Sequence, residues 1–147
     1  MIEVACAETV AGRVDAEALR KVLAVFLQQL FTGERSVSLY LTDDAEMREL
    51  NREFREKDRT TDVLSWSYWE DDPDAECVGD LAVSLEQVAR QAQENGWPVE
   101  TELVRMLAHG CAHLAGWDHE RSEDEAQQML AVEVALLAEV GYPGLYS

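Results

Sequence analysis

The chain has three histidines, and all fall in one stretch: His109-Gly110-Cys111-Ala112-His113-Leu114-Ala115-Gly116-Trp117-Asp118-His119. Random placement gives this spacing about once in four thousand chains of this length. On a helix, His109 and His113 lie about 40° apart around the axis and roughly 6 Å apart along it, so both rings face one way. Gly116 follows three residues after His113, where a helix can end in a left-handed turn and bring the chain back with His119. Three neutral imidazoles with one open position suit a single catalytic zinc ion. Other first-row divalent ions suit the same nitrogen donors.

The spacing H-x3-H-x2-G-x2-H is also that of metzincin proteases, which carry Glu directly after the first His as general base. Here that position is Gly110, so nothing stands ready to activate water for peptide hydrolysis. Asp118 has two candidate roles: orienting a histidine or a bound water, or capping its own turn. Cys111 lies about 200° round the helix from His109 and should point into the core.

A second cluster is basic. Arg48, Arg52, Arg55 and Arg59 are spaced four, three and four apart, and the first three share about 60° of helical arc. Glu49, Glu53 and Glu56 fall on the other side, so the segment presents a basic stripe although residues 48–59 sum to only +1. Guanidinium forks bind phosphate bidentately. The competing reading is a solvated helix face laced with intrahelical ion pairs.

Positioning these groups requires ordered elements. Ile2–Ala7 reads as a first strand. Asp15–Phe31 is apolar at Leu19, Val22, Leu23, Phe26, Leu27 and Leu30, the spacing of a helix capped by Asp15. Ser36–Leu41 alternates as a strand, and Thr42 is expected to cap a helix to about Phe54 with Met47, Leu50 and Phe54 on one face. Val63–Trp66 reads as a strand, Glu70–Glu76 as an acidic loop and Gly79–Leu85 as another strand. Helices follow over Ser84–Asn95, from Pro98 or Val99 to about Gly116, and from a Ser122/Glu125 capping box to Gly141. About four strands and five helices in mixed order predict one α/β (α+β) domain over residues 1–147, with a mixed sheet.

Composition narrows the function further. With 12 Lys plus Arg against 30 Asp plus Glu, the net charge is −18. This argues against coating nucleic acid by bulk charge, though not against a local basic groove. No apolar run approaches the ~20 residues needed to cross a membrane. The N-terminus lacks a basic start followed by an apolar stretch, so a signal peptide is not expected. Cys6, Cys77 and Cys111 make neither a disulfide framework nor a C-x-x-C pair, which suits reduced thiols in the cytoplasm.

Two blocks together resemble the YbeY family of bacterial rRNA maturation endoribonucleases. The family's H-G-x-L-H-L-x-G-[YF]-D-H is matched by the histidine stretch. Its L-N-x-x-[YF]-R-x-x-D-x-P-T-[DN]-V-L-S-F is matched by Leu50-Asn51-Arg52-Glu53-Phe54-Arg55-Glu56-Lys57-Asp58-Arg59-Thr60-Thr61-Asp62-Val63-Leu64-Ser65-Trp66. Gly79-Asp80-Leu81 is a weaker third match. Thr60 stands for Pro, Trp66 for Phe, and Cys111-Ala112 for the usual x-Leu; no metal ligand is lost.

The resemblance implies a single domain with a four-stranded mixed sheet and zinc on His109, His113 and His119. It implies single-strand-specific RNA cleavage in small-subunit rRNA 3′-end maturation and ribosome quality control. Its implied partners are small-subunit ribosomal proteins and a ribosome-assembly GTPase, with neither DNA nor membrane. The family's functional arginine falls on Arg55, which joins His113 as a catalytic residue; Asp118, Arg59 and Arg52 are supporting or substrate-binding candidates.

Arg55 would hold the scissile phosphate while the metal polarises a phosphoryl oxygen or activates the nucleophile. Trp66, Tyr68 and Trp117 are candidates to stack on unpaired bases, although packing is the more ordinary use of the tryptophans. Two alternatives stand beside this reading: a non-catalytic ribosome-assembly factor with bound zinc, and a metzincin-like metalloprotease.

Overall fold

Alternation along the strands decides which layer each side chain joins. In this computed structural model, which describes residues 2–55 and 63–145, the strands are β1 (Glu3–Cys6), β2 (Ser36–Thr42), β3 (Val63–Ser67) and β4 (Cys77–Ser84). They form one sheet in the order β1-β2-β4-β3. β1 and β4 run parallel to β2, while β3 is antiparallel to β4. The register sets Leu39 beside Leu81, and Leu41 and Val63 on either side of Val83. These residues face the main core. The neighbours one residue along, Tyr40, Ala82 and Leu64, line up across the opposite face.

Five helices complete the expected mixed fold: α1 (Ala16–Leu30), α2 (Asp44–Arg55), α3 (Leu85–Asn95), α4 (Val99–Leu114) and α5 (Glu123–Glu139). The main core takes Leu23 and Phe26 from α1, Val88 from α3, Leu107 and Leu114 from α4, and Leu136 and Leu137 from α5. The opposite face has a small cluster of its own, in which Met47 and Leu50 of α2 meet Tyr40, Leu64, Trp66 and Ala82. A short 3-10 turn over Glu8–Val10, absent from the sequence reading, buries Val10.

Two helix starts correct the reading of the sequence. Thr42 is the last residue of β2, fully buried, and its hydroxyl donates to Glu46 Oε1. The cap of α2 is Asp43, whose Oδ1 accepts from the Glu46 N–H at 2.9 Å. The strand needs one more residue, so the cap moves along by one. At α5, Ser122 accepts from the Glu125 N–H as expected, but the Glu125 carboxylate turns away from the reciprocal bond and accepts from the Asp118 N–H at 2.8 Å. The cap at Asp15 forms as the sequence suggests, while Ser84, read as the first residue of a helix, is the last of β4 and caps α3.

The placement of α4 depends on two glycines. A Cβ at Gly110 would lie 2.9 Å from Leu81 Cδ2 and 3.3 Å from Val63 Cγ2, so the helix rests directly on β3 and β4. A Cβ at Gly79 would lie 2.3 Å from the Trp66 carbonyl oxygen and 2.6 Å from Leu114 Cδ2. A buried carboxylate fixes the other end of α4. Glu102, fully buried, accepts from Asn95 Nδ2, Trp97 Nε1, Arg105 Nε and Arg105 Nη2 at 2.6–3.2 Å. That satisfies both oxygens and ties the α3–α4 turn to the first turn of α4.

The two glycines should differ on substitution. Gly79→Ala meets a backbone carbonyl and should cost about 3 kcal/mol, the upper end for overpacking. Gly110→Ala meets methyl groups that can shift and gains about 1 kcal/mol of helix propensity, so its net cost should stay within about 1 kcal/mol. Urea unfolding of both variants checks this ordering; equal losses would contradict it.

Candidate metal centre

Helix α4 carries His109 and His113 one turn apart, and both are half-buried. The helix ends at Leu114, and Gly116 adopts φ +94°, a conformation costly for any residue with a Cβ. The Trp117 N–H reaches back to the Ala112 carbonyl at 3.1 Å, closing the helix as the glycine position suggested. The returning chain then presents His119, exposed, across from the other two rings. Ring centroids are 4.6, 5.2 and 5.4 Å apart. One ligand nitrogen from each ring lies within 4.8 Å of the other two.

The ring orientations are fixed from behind. His113 Nδ1 lies 2.9 Å from the Trp117 carbonyl oxygen, which can only accept, so Nδ1 carries the hydrogen. His109 Nδ1 lies 3.0 Å from Glu133 Oε2 on α5. Donation to these acceptors leaves both Nε2 lone pairs facing the same space, 3.2 Å apart. Two lone pairs at that distance repel unless a cation lies between them. Tetrahedral Zn–N bonds of about 2.0–2.1 Å place ligand nitrogens roughly 3.4 Å apart, so the His109–His113 pair already fits. The other separations, within 4.8 Å, need to close by at most about 1.4 Å, within reach of His119 as an exposed side chain on a turn. The donor set therefore suits one metal ion bound by three nitrogens, with a side left open.

Burial lowers the pKa of His113, and neighbouring His109 lowers it further; the Trp117 carbonyl opposes the shift. The neutral form that a metal needs is thus favoured by the fold itself. Cys111 is fully buried in the main core, and burial pushes its thiol up to about 12. It faces away from the histidines, as its helical angle required.

The remaining candidates separate. Asp118 accepts from the Glu120 N–H at 2.9 Å, which holds its carboxyl below the usual range, and sits 3.6 Å from Arg121. These contacts are those of a turn cap. Arg52 pairs with Glu49 on an exposed helix face, the ordinary arrangement for such a stripe. Arg55 ends α2 by its backbone. Its side chain and that of Phe54, together with Glu56–Asp62 and thus Arg59, lie outside the described residues. Trp66 packs against the small cluster. Tyr68 is exposed and donates to Asp80, which raises its pKa to about 12.

The position of a protease's general base is occupied by packing. Gly110 lies against Leu81 and Val63, where a glutamate side chain has no room. The sequence reading missed Glu133 and the Trp117 carbonyl. A signal for Glu133 was present: it shares the buried face of α5 with Met129, Leu136 and Leu137, and a charge on an apolar face needs a partner.

The metal-free protein should lose stability as pH falls. With the folded pKa of His113 below the unfolded value of about 6.5, the unfolded chain binds the extra proton first. The His113 contribution should be intact above that pH and decline below it. Melting temperatures at pH 7.5 and 5.5, for wild type and His113→Gln, check this; the variant should show the smaller drop.

Comparison with known proteins adds an independent line. A family model for endoribonuclease YbeY matches residues 6–141. An endoribonuclease YbeY from Magnetococcus marinus is 42% identical over 120 residues, covering 75% of this chain and 82% of its own. One from Pseudomonas entomophila is 39% identical over 141 residues, covering 95% and 88%. The solution structure of TM1509 from Thermotoga maritima matches with a TM-score of 0.69 at 30% identity, covering 95% of this chain and 89% of that one. No helix among the described residues is long and apolar enough to cross a membrane. With the match running through nearly all of its elements, the chain belongs to the endoribonuclease YbeY family.

Proposed function

We propose that the protein is a zinc-dependent endoribonuclease that cuts single-stranded RNA. The observation that carries this reading is the convergence of His109, His113 and His119 nitrogens within 4.8 Å in a member of this family. His109, His113 and His119 would hold the ion. When bound, it supplies Lewis acidity at a phosphoryl oxygen, or for activating the nucleophile.

The chain's own residues do the rest. The Trp117 carbonyl fixes the His113 ring. The Gly116 turn keeps His119 on the same side as the helix histidines. Arg55 grips the scissile phosphate and offsets charge that develops during cleavage. Val63, in the same motif as Arg55, packs beside Gly110, next in sequence to His109. This contact places one end of the motif against the helix that carries His109 and His113, which supports a shared site.

The natural substrate in this reading is rRNA, at the 3′ end of the small-subunit species, cut in the cytoplasm during maturation and quality control. The net charge of −18 disfavours capture of bulk RNA. Presentation of the RNA by small-subunit proteins and an assembly GTPase is consistent with that, since acidic faces favour basic partners.

The test is cleavage of a labelled single-stranded RNA by wild type, His113→Ala and Arg55→Ala, purified in parallel with zinc content measured. Wild type should bind about one zinc and cut. His113→Ala should lose both. Arg55→Ala should keep its zinc and cut about 100-fold more slowly, the scale of one lost charge-stabilising donor. Equal cutting by all three would mark contamination. Zinc-loaded wild type that cuts neither free RNA nor RNA in immature small subunits would favour the non-catalytic assembly factor.

A further inference from the structure

We infer that α5 is the clamp of the metal site, with Glu133 as the positioning residue for His109 and Glu125 as the anchor of the turn carrying His119. The inference rests on the metal reading and goes beyond it: none of the metal ligands lies on α5, yet α5 touches the chain of two of them.

The geometry has two grips. Near the middle of α5, Glu133, with its side chain 8% exposed, sets Oε2 3.0 Å from His109 Nδ1. His109 Nε2 then points to His113 Nε2. A ring held this way has one tautomer and one orientation, with its lone pair aimed at the metal position. In the first turn of α5, Glu125 Oε2 accepts from the Asp118 N–H at 2.8 Å and lies 3.4 Å from Arg121 Nη1. That bond fixes the backbone immediately before His119. The reciprocal capping bond that Glu125 could have made to Ser122 is given up for this contact. Two carboxylates two turns apart on one helix thus hold two metal ligands that are ten residues apart in sequence.

A consequence follows by linkage. If docked α5 orients His109 and His119, metal binds more tightly to the docked state than to one with α5 detached. The metal must then favour docked α5 by the same factor. Occupancy of the site and order of the C-terminal helix become one equilibrium.

Zinc affinity of the full chain, measured by competition with a chelator, tests this for wild type, Glu133→Gln, Glu133→Ala and Glu125→Gln, alongside melting of each metal-free form. Glu133→Gln keeps the shape and an acceptor, and should bind zinc about 10-fold more weakly; Glu133→Ala should bind about 100-fold more weakly, both within the range for lost partners of metal-bound histidine. Glu125→Gln should weaken binding less than Glu133→Ala does. A purely structural Glu133 would lower metal-free melting and leave zinc affinity unchanged.

Hydrogen exchange in wild type supplies a reading free of any substitution: saturating zinc should slow amide exchange across Met129–Leu137 by about 10-fold or more. Zinc affinities of both Glu133 variants within twofold of wild type would overturn the positioning role. Unchanged α5 exchange on zinc addition would overturn the coupling. Failure of wild type itself to bind zinc would overturn the metal reading, a result distinct from either.

Discussion

The enclosure of α4 governs the rest of the molecule. Beyond its first turn this helix is buried at every position except Arg105, His109 and His113, which follow one another at intervals of four. A helix so enclosed can reach the surface only along one stripe, and that stripe holds His109 and His113, two of the three candidate ligands. The neighbours must make room for it: Gly110 and Gly79 remove side chains where α4 meets the sheet, and Glu102 turns the only buried charge of the helix into an anchor. Because the backbone beneath His109 and His113 cannot shift without disturbing the main core, their spacing is set before any ligand arrives. The third ligand is different, since His119 rides on an exposed turn. The candidate site is therefore two-thirds fixed and one-third adjustable.

Much of this was legible from the chain alone, and the reasons are specific. His109 and His113 could be paired because helical geometry leaves no choice once the segment is a helix. Gly116 announced the turn because only a left-handed residue brings His119 back. Alternation marked Ser36–Leu41 and Gly79–Leu85 as strands, and their side chains Leu39, Leu41, Leu81 and Val83 share the main core. The parts that stayed hidden depend on contacts between segments distant in sequence. Glu133 meets His109 across 24 residues, and Glu125 chooses Asp118 over its own cap. Thr42 and Asp43 are both good caps, and only the length of β2 decides between them. The Trp117 carbonyl is a backbone group, which no side-chain pattern marks.

The three histidines are surrounded by acidic groups. Glu133, Asp118, Glu120 and the first turn of α5, with Glu123, Asp124 and Glu125, all belong to the segments that carry or hold the ligands. Such surroundings favour a bound cation and repel a free polyanion. The basic stripe of α2 has Arg52 paired with Glu49, so intrahelical pairing already offsets part of its charge. With a net charge of −18, bulk charge alone does not draw RNA to this protein.

The seclusion of Cys111 has a further consequence. It is the thiol nearest the metal ligands in sequence, yet it lies in the core, protonated, on the far side of the helix. All three donors are nitrogens. A centre built without sulfur does not surrender its metal to peroxide by thiolate oxidation, as mixed cysteine–histidine centres can. Acid, which protonates imidazole, remains the chemical route to release. A metal held by these three histidines would answer to protons rather than to thiol oxidation.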